Sequence, residues 1–138
     1  MHALESKVPP TVLVVDDDEF FHLVMGEYLS ILGVNHVLVA KNGNDGLKLL
    51  KSHGQPIDYL VCDVFMPDMD GIEFLLHLVD LRYTGGVVVA SGVDIEMLAL
   101  AKTIASANGL RLTGAFTKPI ELNSLSEALG IALPKNRS

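Results

Sequence analysis

Short apolar runs alternate with segments of helical period along almost the whole chain. Runs at 11–15, 36–40, 58–63, 87–91 and 112–117 have the length and β-branched character of strands. Between the first two, Phe21, Val24, Met25, Tyr28, Leu29 and Leu32 recur at i, i+3, i+4 spacing and predict a helix over 19–32. Residues 44–53 predict a shorter helix around Leu47 and Leu50. Asp70-Gly71-Ile72-Glu73 starts a third in the manner of a capping box, with Ile72, Leu75, Leu76 and Val79 as its buried stripe. Met97, Leu100, Ala101 and Ile104 mark a fourth helix, and Leu122, Leu125, Leu129 and Leu133 a fifth.

Strand and helix alternating five times predict an α/β domain with a parallel sheet covered on both faces. The unbroken apolar character of the strands agrees, since neither face would meet water. The commonest arrangement for this pattern is a flavodoxin-like, doubly wound (βα)5 sheet in the order 2-1-3-4-5. Ligands in such sheets bind beyond the carboxyl ends of strands 1 and 3, where the winding reverses.

Composition narrows the class without changing that picture. At 138 residues the chain has single-domain length, and its 49% apolar share is ample for a core. Residues 1–9 read as an N-terminal extension, 10–133 as the domain, and 134–138 as a tail or the start of a linker. The net charge of −7 and the dispersed Lys and Arg residues argue against direct nucleic-acid binding. Cys62 is alone, which excludes an internal disulfide and fits a reducing compartment. No apolar signal core or membrane-length run is present, so a cytoplasmic location is expected.

The chemistry lies at the strand ends. Asp16-Asp17-Asp18 follows Val12-Leu13-Val14-Val15, and Asp63 follows Leu60-Val61-Cys62. The winding rule sets these two strands side by side, so several carboxylates meet at one rim. Their repulsion calls for a cation, and Mg²⁺ is the natural partner of hard oxygen ligands. Ser91 ends the fourth apolar run and Lys118 follows the fifth. An acid pair, a further acid, a hydroxyl and a lysine together describe a site for a metal-held phosphoryl group.

These segments resemble the receiver domain of two-component response regulators over roughly 10–133. The resemblance rests on Leu13-Val14-Val15-Asp16-Asp17-Asp18, Asp63-Val64-Phe65-Met66-Pro67-Asp68-Met69-Asp70-Gly71, Ala90-Ser91-Gly92 and Phe116-Thr117-Lys118-Pro119. It implies that Asp63 accepts a phosphoryl group from a sensor histidine kinase or a phosphotransfer protein. It implies Mg²⁺ on Asp17, Asp63 and the Phe65 backbone carbonyl, with Asp16 acting mainly through water. Ser91 and Lys118 would contact the phosphoryl oxygens. The domain would signal rather than act as an enzyme, switching an output domain, a partner protein or a homodimer formed through the 94–133 surface. Receivers also commonly have a cis peptide where this chain has Lys118–Pro119, the bond type in which cis costs little.

Other residues have plainer readings. Asp18 is expected to cap a helix, and Asp68 and Asp70 to serve turns and caps. Cys62 reads as a small core residue, and His2, His22, His36, His53 and His77 as structural or exposed. The chain departs from the family pattern at Ala115, where receivers usually carry Tyr or Phe as a rotating reporter. Phe116 is adjacent, but alternation sends it to the opposite face of the sheet. The stretch Ala107-Asn108-Gly109-Leu110-Arg111-Leu112-Thr113-Gly114 is similar to receivers fused to cyclic-di-GMP phosphodiesterase domains. Two alternatives remain open from the residues: a receiver-like adaptor that is never phosphorylated, and a haloacid-dehalogenase-type phosphatase using Asp16-x-Asp18. The second would need a Gly-Asp-x-x-x-Asp motif that this chain lacks.

Overall fold

The first strand, β1 (Thr11–Val15), is sealed inside the molecule: Val12, Leu13, Val14 and Val15 are all at most 1% exposed. Such burial on both faces explains its unbroken apolar sequence, each side chain contributing about 1.5–3 kcal/mol. We describe the chain from a computed structural model, which covers residues 9–92 and 94–135. Most of the expected N-terminal extension and positions 136–138 of the expected tail lie outside the described residues.

After β1 come α1 (Glu19–Ile31), β2 (His36–Ala40), α2 (Gly43–Ser52), β3 (Tyr59–Asp63), α3 (Gly71–Asp80), β4 (Gly86–Ser91), α4 (Ile95–Asn108), β5 (Arg111–Thr117) and α5 (Leu122–Leu129). The five strands form one parallel sheet in the order β2-β1-β3-β4-β5, as the alternation predicted. On one face, Leu13, Leu60, Val87 and Val89 pack with Phe74, Leu75, Leu78 and Leu98 from α3 and α4. On the other, Val12, Val14, Val61 and Val88 pack with Phe21, Met25 and Leu29 of α1 and Leu125 and Leu129 of α5. No described helix is long and apolar enough to cross a membrane.

Local chemistry sets the helix ends nearest the strand rim. Asp18 caps α1 by accepting from the Phe20 amide at 2.9 Å, and Asp70 caps α3 through the Glu73 amide at 2.8 Å. The reciprocal half of the expected capping box does not form; the Glu73 carboxylate lies 3.9 Å from His77 instead. Gly71 is required where α3 starts. A Cβ there would sit 2.7 Å from the Val64 Cα, so the helix could not pack so closely on the end of β3.

Three expectations need correction. The buried face of α3 is Phe74, Leu75 and Leu78, which meet the sheet, and not the stripe of Ile72, Leu75, Leu76 and Val79; Leu76 is 44% exposed, and Ile72 and Val79 are only partly buried. The fifth helix does not reach Leu133, because Gly130 adopts a left-handed φ of 66° and ends the helix after Leu129. Leu133 keeps the helical spacing but is 38% exposed beyond that stop. The strand at 112–117 carries an irregularity that its apolar pattern does not announce. Leu112 pairs with Val87 but Gly114 pairs with Val88, leaving Thr113 as one extra residue. From there the side-chain alternation is reset, and Ala115 faces the α4 side while Phe116 packs on the α5 side.

Candidate functional site

At the carboxyl end of the sheet, β1 and β3 run in register with Val15 beside Cys62, so the acids that follow each strand meet. Carboxylate oxygens of Asp16, Asp17 and Asp63 all lie within 4.8 Å of one another. Asp16 is fully buried, Asp63 is nearly so, and Asp17 is exposed at the lip.

Each buried oxygen has a defined partner. One Asp16 oxygen accepts from the Asp18 amide at 2.9 Å, and the other accepts from the Lys118 ammonium at 2.7 Å. Lys118 also pairs with Asp63 at 3.5 Å. Burial would lower the lysine's pKa, but its hydrogen bond and charge contact with Asp16, together with Asp63, hold it above the usual value. Asp63 is shifted the other way from a typical acid. Burial, and then the Asp16 charge, push its carboxyl upward against the opposing pull of Lys118 and of the Phe65 amide.

The remaining two strands complete the rim. Ser91 is fully buried at the end of β4, and its Oγ accepts from the Asp94 amide at 2.9 Å. Asp94 in turn caps α4 through the Met97 amide at 3.0 Å. The Ser91 carbonyl accepts from the Lys118 amide at 2.7 Å, which ties the ends of β4 and β5 together. The Lys118–Pro119 peptide is cis, as expected.

The structure therefore brings Asp16, Asp17, Asp63, Ser91 and Lys118 to one end of the sheet. Phe65 stands two residues beyond Asp63 with its side chain about half exposed. Three carboxylates face one ammonium, so negative charge is left over within a few ångströms. That excess and the all-oxygen donor set fit a hard divalent cation such as Mg²⁺.

The neighbouring acids take the plainer roles expected of them. Asp68 does so at long range: its two oxygens accept from the Gly43 amide at 2.9 Å and the Asn44 amide at 2.8 Å. This pins the loop after β3 to the start of α2. Burial opposes ionisation of Asp68, but these amide hydrogen bonds outweigh it and hold the carboxyl below its usual value. A depressed acid adds stability above its unfolded pKa of about 3.9 and loses it as pH falls through the folded value. Urea unfolding is thus expected to show Asp68→Ala less stable than wild type by a constant margin from pH 7 to 5. Below pH 4 that margin should shrink, and a margin that grows with acid would refute the assignment.

Two first-turn residues of α1 were missed as neighbours of this site. The His22 Nε2–H donates to the Asp16 carbonyl at 2.6 Å, while its Nδ1 is buried without a hydrogen-bond partner among the described residues. The Phe21 ring lies under Lys118, with Nζ 4.4 Å from the ring centroid. The signal was their position three and four residues after the Asp18 cap, in the turn that abuts the acid pair.

Comparison with known proteins agrees with the fold. A family model of the response regulator receiver domain matches residues 12–130. The autoinducer 1 sensor kinase/phosphatase LuxN of Vibrio campbellii is 35% identical over 127 residues, covering 92% of this chain and 14% of that protein. The cyclic di-GMP phosphodiesterase RocR of Pseudomonas aeruginosa is 30% identical over 118 residues, covering 86% of this chain and 30% of that protein. This chain thus spans less than a third of either relative. A response regulator receiver domain protein from Clostridium thermocellum has the same fold, with a TM-score of 0.74 at 24% identity, covering 88% of this chain and 91% of that one.

Proposed function

The chain belongs to the response regulator receiver domain family, and from that premise we propose that Asp63 is its phosphoacceptor. The observation that carries this reading is the three-carboxylate cluster with Lys118 bridging Asp16 and Asp63 at 2.7 and 3.5 Å. The donor is a phosphohistidine on a sensor histidine kinase or phosphotransfer protein. An Asp63 oxygen attacks phosphorus, the P–N bond breaks as the P–O bond forms, and the nitrogen keeps the electron pair. Asp63 must be ionised to attack, and its buried, acid-flanked position opposes that. Lys118 offsets the charge and offers N–H donors to the phosphoryl oxygens. Asp17, Asp63 and the Phe65 carbonyl, with Asp16 through water, would hold Mg²⁺, which would supply positive charge against the same oxygens. The domain signals and is not itself an enzyme.

Borohydride reduction after treatment with acetyl phosphate and Mg²⁺, followed by mass spectrometry, tests the assignment. The reduced residue is expected at position 63. Reduction at Asp16 would favour the phosphatase reading instead.

Readout starts from Ser91. Its Oγ already accepts from the Asp94 amide, which leaves the hydroxyl proton for a phosphoryl oxygen. Any turn of the hydroxyl toward Asp63 pulls on Asp94, the cap of α4. Helix α4 exposes Ile95 at 70% and Leu100 at 45%, which supports the 94–133 surface as the one offered to a partner, an output domain or a second copy. Two states count as a switch only if that partner distinguishes them.

Ala115 has no χ1 to rotate, so no aromatic there reports the event. Ala115→Tyr is expected to change partner affinity in pull-down or titration assays while leaving the rate of Asp63 phosphorylation within about twofold. Loss of phosphorylation in that variant would mean that position 115 belongs to the reacting site.

A further inference from the structure

The Lys118 side chain reaches the rim from the end of β5 and is only 19% exposed. An ammonium carries three N–H donors and accepts nothing. Two directions are taken by the Asp16 and Asp63 oxygens. Close against the same ammonium lies the face of the Phe21 ring, 4.4 Å from Nζ to centroid and well inside cation–π range.

Phe21 reaches that place because of its position after the Asp18 cap. The buried stripe of α1 is Phe21, Met25 and Leu29, spaced at four residues. Met25 and Leu29 descend between α1 and the sheet, and Phe21, in the first turn, is the member level with the acids. The plain alternative is that Phe21, at 6% exposure, is only core packing. A leucine would serve that purpose equally well. What leucine lacks is a negative π face, which attracts a cation without offering a lone pair that competes for its N–H donors.

We propose that Phe21 is a positioning residue for phosphoryl transfer, its ring face holding the Lys118 ammonium at the rim while leaving its donors for the phosphoryl oxygens. This inference rests on the phosphoacceptor reading above and names a residue outside the carboxylate, hydroxyl and lysine set. Phe21 touches no reacting atom. It acts through Lys118 by limiting where the tip of a long, flexible side chain can go.

The test has two arms. Protons above a ring face are shielded, so the Lys118 ε-methylene resonances of the wild-type protein are expected upfield of ordinary lysine values. Phe21→Tyr should keep that shift and Phe21→Leu should lose it. In the second arm, beryllofluoride stands in for the phosphoryl group and Mg²⁺ is titrated alone. Phe21→Leu should bind beryllofluoride roughly tenfold more weakly, the scale of a largely desolvated cation–π contact, with Mg²⁺ affinity unchanged within twofold. Phe21→Tyr should restore beryllofluoride binding.

Unshifted wild-type Lys118 resonances would overturn the contact itself, whether or not any variant folds. Equal beryllofluoride affinity in wild type and Phe21→Leu would overturn its role. If Phe21→Leu unfolds, Phe21→Met fills the same space with an unbranched chain and carries the same expectations. Failure of the wild-type protein to bind beryllofluoride or react with acetyl phosphate would instead defeat the phosphoacceptor reading, with the resonance shift still reporting the contact.

Discussion

Asp63→Asn is expected to abolish phosphorylation by acetyl phosphate and, in the same molecule, to raise the thermal midpoint measured without divalent cations. The first effect follows from chemistry. An amide oxygen is a far poorer nucleophile than a carboxylate, and the expected loss is at least about 100-fold, from an activated nucleophile to none. The second follows from electrostatics. Burial and the Asp16 charge raise the Asp63 pKa in the folded state despite Lys118. An acid whose folded pKa lies above its unfolded value favours folding when protonated and opposes it once ionised. At neutral pH the folded protein therefore carries a destabilising charge that asparagine removes. Each 1 kcal/mol relieved raises the midpoint of a domain this size by about 3–5 °C. The advantage of the variant should fade as pH falls toward 4, where the carboxyl itself becomes neutral. Thermal melts in EDTA at pH 7 and 4 check this, and a lower midpoint for Asp63→Asn at pH 7 would show that the Lys118 pair outweighs the repulsion.

Asp17→Asn and Asp18→Asn form the second test, because the two residues are adjacent but face different tasks. Asp17 shares the cluster with Asp16 and Asp63, whereas Asp18 turns back to cap α1 through the Phe20 amide. Asparagine caps a helix about as well as aspartate, so Asp18→Asn should leave the helix and Mg²⁺ affinity nearly unchanged. Asp17→Asn removes a charged oxygen ligand from a hard-cation site and is expected to weaken Mg²⁺ at least tenfold by calorimetric titration. Equal losses from the two variants would mean that net charge, not coordination by Asp17, governs binding.

Much of this arrangement was legible because each acid follows its own apolar run. Asp17 and Asp63 mark strand ends, and the switch-point rule puts those ends together before any coordinates are known. Asp18 and Asp70 were legible for the same reason, since caps depend on residues one to three positions away. What escaped depends on long-range packing. Nothing near Asp68 in sequence points to the Gly43 and Asn44 amides, 25 and 24 residues earlier. Leu133 continued a helical period that a left-handed Gly130 had already stopped. Phe21 read simply as a core residue, because only the folded chain brings a lysine 97 positions downstream onto its ring.

The extra residue at Thr113 has a consequence for aligning this chain with its relatives. Upstream of it, a residue's side of the sheet follows from its distance to Leu112. Downstream, it follows from its distance to Lys118, and the two counts disagree by one. A gap placed on either side of position 113 therefore changes which residue is matched to Ala115. Homologues are best brought into correspondence backward from the lysine, since Gly114 to Thr117 share a single register with β4 and end at the site itself. Counted that way, the small residue at 115 is a property of the strand and not an artefact of gap placement.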